Sequence, residues 1–352
     1  MGAGPAGSTT AKYCAHRGAD VLVIDRRKEI GHPVQCGELL PHAKEMYSMF
    51  PRGIELEELF DIDHSTVDGE SDTIEMISPR GRAYRIPFSS HVLNRRSFDK
   101  RLAKGAEEAG ARVMTGTSLL SVDESGVAET TAGQIKAKVV VGADGPNSRT
   151  AREAGLERPR PSYPAIACRT DSTFGSEVRM FFGAAAPGGY AWVIPKDRGA
   201  NIGVGYSQAM CSAKPTELLK AFASWLGVSV REEALGFVPL AGPSRRTTSG
   251  RFVLVGDAAG HTMASNGGGI PTAMIAGREA GRVIRRHLEE GAPLSDYELA
   301  WRAFMEGPLI RSHKTLRLAG YAFRNDALTG LAMAMLGRRG LDRAIRCRRL
   351  FL

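Results

Sequence analysis

Three runs of branched apolar residues, each closed by glycine or aspartate, punctuate the chain. They are Val21-Leu22-Val23-Ile24 before Asp25, Val139-Val140-Val141 before Gly142-Ala143-Asp144, and Phe252-Val253-Leu254-Val255 before Gly256-Asp257. Unbroken apolar runs this short, bounded by turn residues, predict strands buried on both faces, as in a parallel sheet. Elsewhere the pattern alternates. Ser71–Phe88 predicts a hairpin, with Thr73–Ile77 and Ala83–Ile86 flanking the turn Pro79-Arg80-Gly81. Pro164–Asp171, Glu177–Phe182, Gly189–Pro195 and Asn201–Ser207 add four strands with turn signals between them, so an antiparallel sheet is expected. Helical periodicity follows Gly7 through Ala15 and runs from Ile270 to about His287.

The turns around the buried runs carry the candidate chemistry. Gly2-Ala3-Gly4-Pro5-Ala6-Gly7 has the spacing GxGxxG and leads straight into a small-residue helix. Such glycines make a tight turn, let backbone approach a pyrophosphate and bring helix and strand together. The helix start then offers free N–H groups to the phosphates. Asp25, with Arg26 after it, ends the next strand, where an acid about 20 residues beyond the glycines binds a ribose hydroxyl. The fingerprint also calls for a buried strand directly before Gly2. Only Met1 stands there, so that strand is expected to lie upstream, in a longer natural chain. A second glycine cluster, Gly267-Gly268-Gly269-Ile270, opens the helix after Asp257 and suits an anionic oxygen or the edge of a flavin.

The strands ending at Asp144 and Asp257, with Asn94-Arg95-Arg96-Ser97-Phe98-Asp99 between the first two runs, resemble the flavoprotein superfamily of aromatic hydroxylases and geranylgeranyl reductases. The resemblance implies FAD as cofactor, with Asp257 on the ribityl chain, the Gly267–Ile270 helix start beside the isoalloxazine and Arg95 near the cofactor. Two further segments, Pro33-Val34-Gln35-Cys36-Gly37-Glu38 and Tyr190-Ala191-Trp192-Val193-Ile194-Pro195, resemble Pro-x-x-Cys-Gly-Glu and Tyr-x-Trp-x-Phe-Pro motifs of the geranylgeranyl reductase family, Ile194 standing for phenylalanine. The likeness extends from Gly2 beyond Ile270 and is nearest to archaeal members that saturate digeranylgeranylglycerophospholipids.

The fold class these patterns imply is α/β. A Rossmann-type FAD-binding domain of the aromatic hydroxylase and geranylgeranyl reductase kind is expected over residues 1–60, 91–155 and 245–290. An interleaved antiparallel-sheet substrate domain covers 61–90 and 156–244, and a helical region 291–352. With 352 residues the chain exceeds the roughly 250–300 at which single cores stop growing. The implied reaction is FAD-dependent saturation of geranylgeranyl double bonds in membrane-lipid precursors. A flavin monooxygenase or halogenase of the same fold is the alternative, and a membrane-associated electron-transfer flavoprotein the second. Halogenases carry Trp-x-Trp-x-Ile-Pro, from which Tyr190 departs.

Reducing an isolated double bond takes a hydride and a proton. Cys36 is the candidate proton donor, since thiols with pKa about 8.5 are protonated near neutrality. Cofactor contacts are expected from Gly2, Gly4, Ala6, Gly7, Asp25, Arg26, Cys36, Gly37, Leu39, Arg95, Leu119, Asp144, Asp257, Gly267, Gly268, Gly269 and Ile270. Tyr190 and Trp192 alternate along one strand, share a face and make a wall for substrate. His261 is expected to be a solvated loop residue.

Composition changes the picture at two points. The five cysteines are odd in number and lack CxxC or CxxH spacing, which argues for a reducing cytoplasm and against a zinc site or ferredoxin-like cluster; no metal is expected. The net charge of +9 suits anionic surfaces or phosphorylated substrates. It gathers with apolar residues in Leu309–Leu318 and Leu328–Leu352, where Arg338, Arg339, Arg343, Arg346, Arg348 and Arg349 accompany leucines and methionines. A basic amphipathic helix predicts peripheral attachment to the cytoplasmic face of a membrane. The expected partners are a prenylated lipid or prenyl diphosphate and an external electron donor (NAD(P)H, reduced deazaflavin or ferredoxin). There is one GxGxxG only, already assigned to FAD, and no nucleic acid is expected.

Overall fold

The structure, a computed structural model, describes residues 1–15, 18–50 and 55–350. Among these the strands in chain order are β1 (Leu22–Asp25), β2 (Leu39–Pro41), β3 (Val67–Ile77), β4 (Ala83–Leu93), β5 (Arg112–Thr115), β6 (Leu119–Val122), β7 (Val127–Thr130) and β8 (Gly133–Lys136). There come next β9 (Val140–Gly142), β10 (Ser162–Thr170), β11 (Val178–Phe181), β12 (Tyr190–Pro195), β13 (Ala200–Gly205), β14 (Arg231–Pro239), β15 (Thr248–Ser249) and β16 (Phe252–Leu254). The helices are α1 (Pro5–Ala15), α2 (Ala43–Met49), α3 (Arg95–Glu108), α4 (Arg149–Glu153), α5 (Pro215–Leu226), α6 (Ile270–Glu290), α7 (Asp296–Trp301), α8 (Gly307–Ala322) and α9 (Asp326–Ile345).

The three apolar runs do form β1, β9 and β16, and each pairs in parallel: β1 with β5, and β9 with β16. The two parallel pieces face each other across the backbone of Met1 and Gly2. Gly2 N–H donates to Ile24 O at 2.8 Å, the Met1 ammonium to Val141 O at 2.8 Å, and Ala143 N–H to Met1 O at 2.8 Å. These two residues thus stand where the fingerprint calls for a whole strand. Helix α1 leaves this junction and packs on α6, at whose Gly277 a side chain would meet the Ala6 carbonyl at 2.6 Å.

The predicted antiparallel sheet forms with eight strands, in the order β14-β10-β13-β12-β11-β3-β4-β2. One pair, β3 with β11, is parallel. Two members escape the alternation pattern. Strand β2 is three residues long, lies inside the segment 1–60 expected in the cofactor lobe, and pairs with β4. Edge strand β14 begins with three charged residues and buries its small ones, Ala234 and Gly236, while Leu235 and Phe237 stand exposed. Helix α5 covers one face of the sheet through Leu219 and Phe222; Trp192 and Ile194 of β12 join the main core, which also includes Ile270 and Met274 of α6.

The C-terminal segment departs from the single amphipathic helix expected over Leu328–Leu352. Helix α9 kinks at Gly337 (φ 56°, ψ −171°). Beyond the kink the apolar residues Leu341 and Ile345 are buried. Arg346 turns inward: its guanidinium donates to Glu45 at 2.6 Å and to Pro87 O at 2.8 Å, and lies over the Phe88 ring. It is a core cation, not a surface one. Phe351 and Leu352 lie outside the described residues.

Candidate functional site

The glycine turn is built by steric necessity at two positions and left open at the third. Gly2 has φ +97°, and a Cβ there would sit 2.3 Å from Ala143 O. A Cβ on Gly7 would sit 1.9 Å from Gly2 O, so its role is packing; it does not line the cavity. At Gly4 an added Cβ meets no atom of the described residues within 4 Å. That space belongs to a cavity of about 1250 Å³, onto which the first turn of α1 also opens. A missing side chain that no protein atom requires fits a ligand brought against the backbone.

Of the residues expected to bind cofactor or substrate, every one except Gly7 lines this cavity. Asp25 sits at its rim beneath the turn, accepting Ala3 N–H at 2.8 Å and both arms of Arg27, at 2.9 and 2.7 Å. Burial pushes its carboxyl up, but Arg27 and the backbone donors outweigh this and hold it below the usual range. Arg27, which sequence reasoning leaves out, is therefore the fixed partner of Asp25. Asp144 differs from expectation in how it acts. Its carboxylate is taken up at the start of α4 by Ser148 Oγ at 2.6 Å, the N–H groups of Arg149 and Thr150 at 2.8 and 3.0 Å, and the Thr150 hydroxyl at 3.1 Å. It shapes the cavity wall by capping a helix.

The second glycine cluster is a tight loop. Met263 N–H donates to Gly268 O, and Gly268 N–H to Asn266 Oδ1. No side chain among the described residues caps α6 at Gly269. Its first-turn N–H groups are thus available to a ligand, at the positive end of a helix 21 residues long. Asp257 accepts from Thr262 Oγ1 at 2.9 Å. Burial pushes its pKa up, which Thr262 and Arg95 only partly offset. A partly buried carboxyl that lines the cavity suits a polyol hydroxyl.

Cys36 lines the same cavity as both glycine clusters. Its Sγ accepts Glu38 N–H at 3.1 Å. Arg95, from the start of α3, is its charged neighbour, held by both oxygens of Asp99 at 2.8 and 2.9 Å. Burial works against the Arg95 charge, yet Asp99 and Cys36 hold the proton more firmly than usual. Tyr190, on β12, donates to Asn266 O at 2.5 Å beside Gly267. Burial, with Cys36 adding to it, pushes its phenol well above the ordinary range. Trp192 comes next on the same face, its ring 6.1 Å from that of Tyr190 and lying over Gly203 of β13.

A buried network that sequence reasoning misses holds this loop. Trp192 Nε1 donates to Asn201 Oδ1 at 2.8 Å, and the Asn201 amide donates to Cys36 O and to Glu38 Oε2, both at 2.9 Å. Glu38 in turn pairs with Lys196 at 2.9 Å and accepts Arg95 N–H at 3.1 Å. A signal is present, since Glu38 ends the first motif and Lys196 comes directly after the second. Charged residues there look like solvated ones, because each finds the other only across 158 positions of chain.

His261 corrects its expectation. The side chain is fully buried against Trp301, ring centroids 4.6 Å apart, and neither ring nitrogen has a partner among the described residues. Burial, with Arg302 nearby, pushes its pKa down to about 3.

From Cys36 the cavity extends between the sheet and the C-terminal helices. Its walls there are Met76, Met180 and Phe182 on one side and Leu318, Phe323 and Leu336 on the other. Met335 of α9, 80% exposed, lines the outer part of the cavity, and Leu331, one turn before it on the same helix, is 56% exposed. Among the described residues no helix is long and apolar enough to cross a membrane.

Known proteins share these features. The FAD binding domain family matches residues 1–217. Digeranylgeranylglycerophospholipid reductase 1 of Methanococcoides burtonii is 31% identical, over 95% of this chain and 86% of its own length. The digeranylgeranylglycerophospholipid reductase of Methanocella arvoryzae is 34% identical, over 89% and 84%. A solved geranylgeranyl bacteriochlorophyll reductase-like protein from Thermoplasma acidophilum superposes with a TM-score of 0.82 at 27% identity, covering 94% of this chain and 88% of that one. The flavin-dependent brominase Bmp2, at a TM-score of 0.73 and 18% identity over 98% of this chain and 92% of that one, shares the fold alone.

Proposed function

Since this chain belongs to the digeranylgeranylglycerophospholipid reductase family of FAD-binding oxidoreductases, we propose that it saturates prenyl double bonds of a geranylgeranylated membrane-lipid precursor. The observation that carries this reading is the continuity of one cavity. It runs from the glycine turn, past Cys36, into an apolar arm that ends at the exposed face of α9.

The residues present fit FAD. Gly2, Gly4 and Ala6, with the N-terminus of α1, hold the pyrophosphate, and Asp25 the ribose, with Arg26 alongside. Leu119 and the Asp144 turn close the same end. Asp257 takes the ribityl chain, and Gly267–Ile270 with Gly37 and Leu39 frame the ring system. Bound FAD, once reduced, supplies the hydride. The protein's own task is the proton and the position of the alkene. Cys36 Sγ holds that proton and delivers it to the second alkene carbon. The Arg95 guanidinium and the Glu38 N–H stabilise the sulfur after the proton has gone. Tyr190 and Trp192 exclude water and set the plane of the prenyl chain, which lies along the apolar arm.

The substrate arrives from a bilayer. Met335 stands at the mouth with Leu331 exposed one turn before it on α9, and arginines of α9 that are not drawn into the core contribute on the order of 1 kcal/mol each near anionic lipid. The protein is on this reading peripheral on the cytoplasmic membrane face, reduced by a donor that binds transiently: NAD(P)H, a deazaflavin or a ferredoxin. The test is anaerobic incubation of dithionite-reduced, FAD-loaded protein with digeranylgeranylglycerophospholipid and, separately, geranylgeranyl diphosphate. Mass gains of two hydrogens per reduced bond are expected. A product formed only with oxygen, carrying hydroxyl or halogen, overturns the reading.

A further inference from the structure

Outside the cavity, at the β2 edge of the large sheet, two histidines bind one carboxylate and a third of the chain's eight lies near them. Glu70 on β3 stands opposite His91 in the β3–β4 register, and His91 stands opposite Leu40 of β2, after which the chain turns at His42. His42 Nε2 lies 2.9 Å from one oxygen of Glu70, and His91 Nδ1 2.6 Å from the other. The two imidazole rings are 4.1 Å apart, and His64 lies 6.3 Å from His91 on its far side.

We propose that His42, Glu70 and His91 bind one divalent transition-metal ion of the zinc type, which ties β2, β3 and β4 together. All three donor atoms lie within 4.8 Å of one another. Around a tetrahedral zinc, ligand atoms about 2.0–2.1 Å from the metal stand about 3.3 Å apart, so a small side-chain adjustment closes the site. Two imidazole nitrogens and one carboxylate oxygen match the ligand preference of zinc and its neighbours over magnesium or calcium. Each donor is held by strand pairing or by the turn directly after a strand, so the site is largely preformed. His91 Nδ1 and His42 Nε2 both point at Glu70, so a metal ion entering there takes the place of the two ring protons that now bridge to the carboxylate. Glu70 is half exposed, leaving the remaining coordination position to water. None of the three residues lines the cavity. The ion is therefore a brace on β2, the strand directly after the Cys36–Glu38 loop, and takes no part in the reduction.

The experiment uses full-length, FAD-loaded protein stripped with EDTA. Titration with ZnCl2 by calorimetry, and with CoCl2 by visible absorption beyond the flavin bands, should each show one equivalent bound. His42→Ala and His91→Ala should each weaken binding by about 100-fold or more, since loss even of an outer-shell partner costs about 10–100-fold. His32→Ala serves as control and should bind as the parent does. Flavin content per chain reports that each variant is folded. Absence of saturable one-equivalent binding, or binding unchanged in the His42→Ala/His91→Ala double variant, overturns the proposal and leaves a hydrogen-bonded histidine–glutamate cluster.

Discussion

Glu38 and Lys196 form a buried ion pair 2.9 Å long, with side chains 1% and 3% exposed. It joins the end of the cysteine motif to the residue after the aromatic motif, 158 positions on (196 less 38). Glu38 also holds a left-handed backbone, φ 68°, without being glycine. Its side chain is what fixes it there, through Lys196, Asn201 and the Arg95 N–H. Breaking a buried pair by removing one partner costs on the order of 3–5 kcal/mol. Lys196→Met should therefore destabilise the protein by that order, with Asp68, its other partner at 3.1 Å, retaining Arg169. Lys196→Met combined with Glu38→Gln should cost less than the two changes summed. Urea unfolding of the single and double variants measures this; additive losses would mean that the pair is not coupled.

Gly4 and Gly7 should separate cofactor binding from folding. Gly4→Ala places its methyl in open cavity and should leave the apoprotein's unfolding unchanged while weakening FAD by about tenfold or more, 1.4 kcal/mol per factor of ten. Gly7→Ala drives a methyl against Gly2 O and should destabilise the apoprotein itself. Flavin fluorescence titration beside thermal unfolding distinguishes the two.

Cys36→Ala should leave FAD bound and reducible but slow alkene reduction by about 10²–10⁴-fold, the usual contribution of a positioned general acid. Single-turnover reoxidation of the reduced flavin by substrate, without oxygen, is the measurement. A full rate in the variant removes Cys36 from the chemistry.

His261 should make the fold acid-sensitive. Its folded pKa of about 3 lies below the ordinary 6.5, so the unfolded chain binds the proton more readily. Stability from this residue is intact above pH 6.5 and is lost as pH falls toward 3, by about 2 kcal/mol at pH 5. His261→Phe should flatten the fall in unfolding free energy between pH 7.5 and 5; an unchanged slope would place the sensitivity elsewhere.

Leu331 and Met335 should govern membrane attachment. Both lie on the exposed face of α9 before the kink. Leu331→Asp, outside the cavity lining, should reduce sedimentation with anionic vesicles and leave turnover of detergent-dispersed substrate intact. Arg346→Ala, by contrast, should lower stability, because that arginine pairs with Glu45 inside the fold.

The legibility of each part depends on how locally it is encoded. The strands at β1, β9 and β16 are short apolar runs closed by turn residues, and the cavity-lining glycines and acids sit at their ends, so both can be read from neighbouring residues. The antiparallel strands that alternate cleanly are equally plain. Strand β14 is not, because it turns its large apolar residues Leu235 and Phe237 outward and buries Ala234 and Gly236. His261 reads wrongly as solvated because nothing in Ala-Ala-Gly-His announces that Trp301, forty residues later, closes over it. Arg346 reads wrongly in the same way, since a cation in a basic stretch looks solvated until Glu45 arrives from the far end of the chain. The Glu38–Lys196–Asn201 network is encoded only in the pairing of distant segments.

The apolar arm beyond Cys36 has a consequence for reach. Its walls are chiefly methionine, leucine, phenylalanine and alanine, with Thr315 and Thr329 as the hydroxyls contributed by α8 and α9. On the proposed function, a prenyl chain threaded into this largely apolar arm would bind with similar energy at several sliding positions, its anchored end setting the register. Cys36 and the glycine loops stay fixed while the chain slips past them like a tape through a reading head. On the proposed function, successive double bonds would then come to the head in turn, and the stretch of arm between Cys36 and the mouth at Met335 would set how far along the tape it can read.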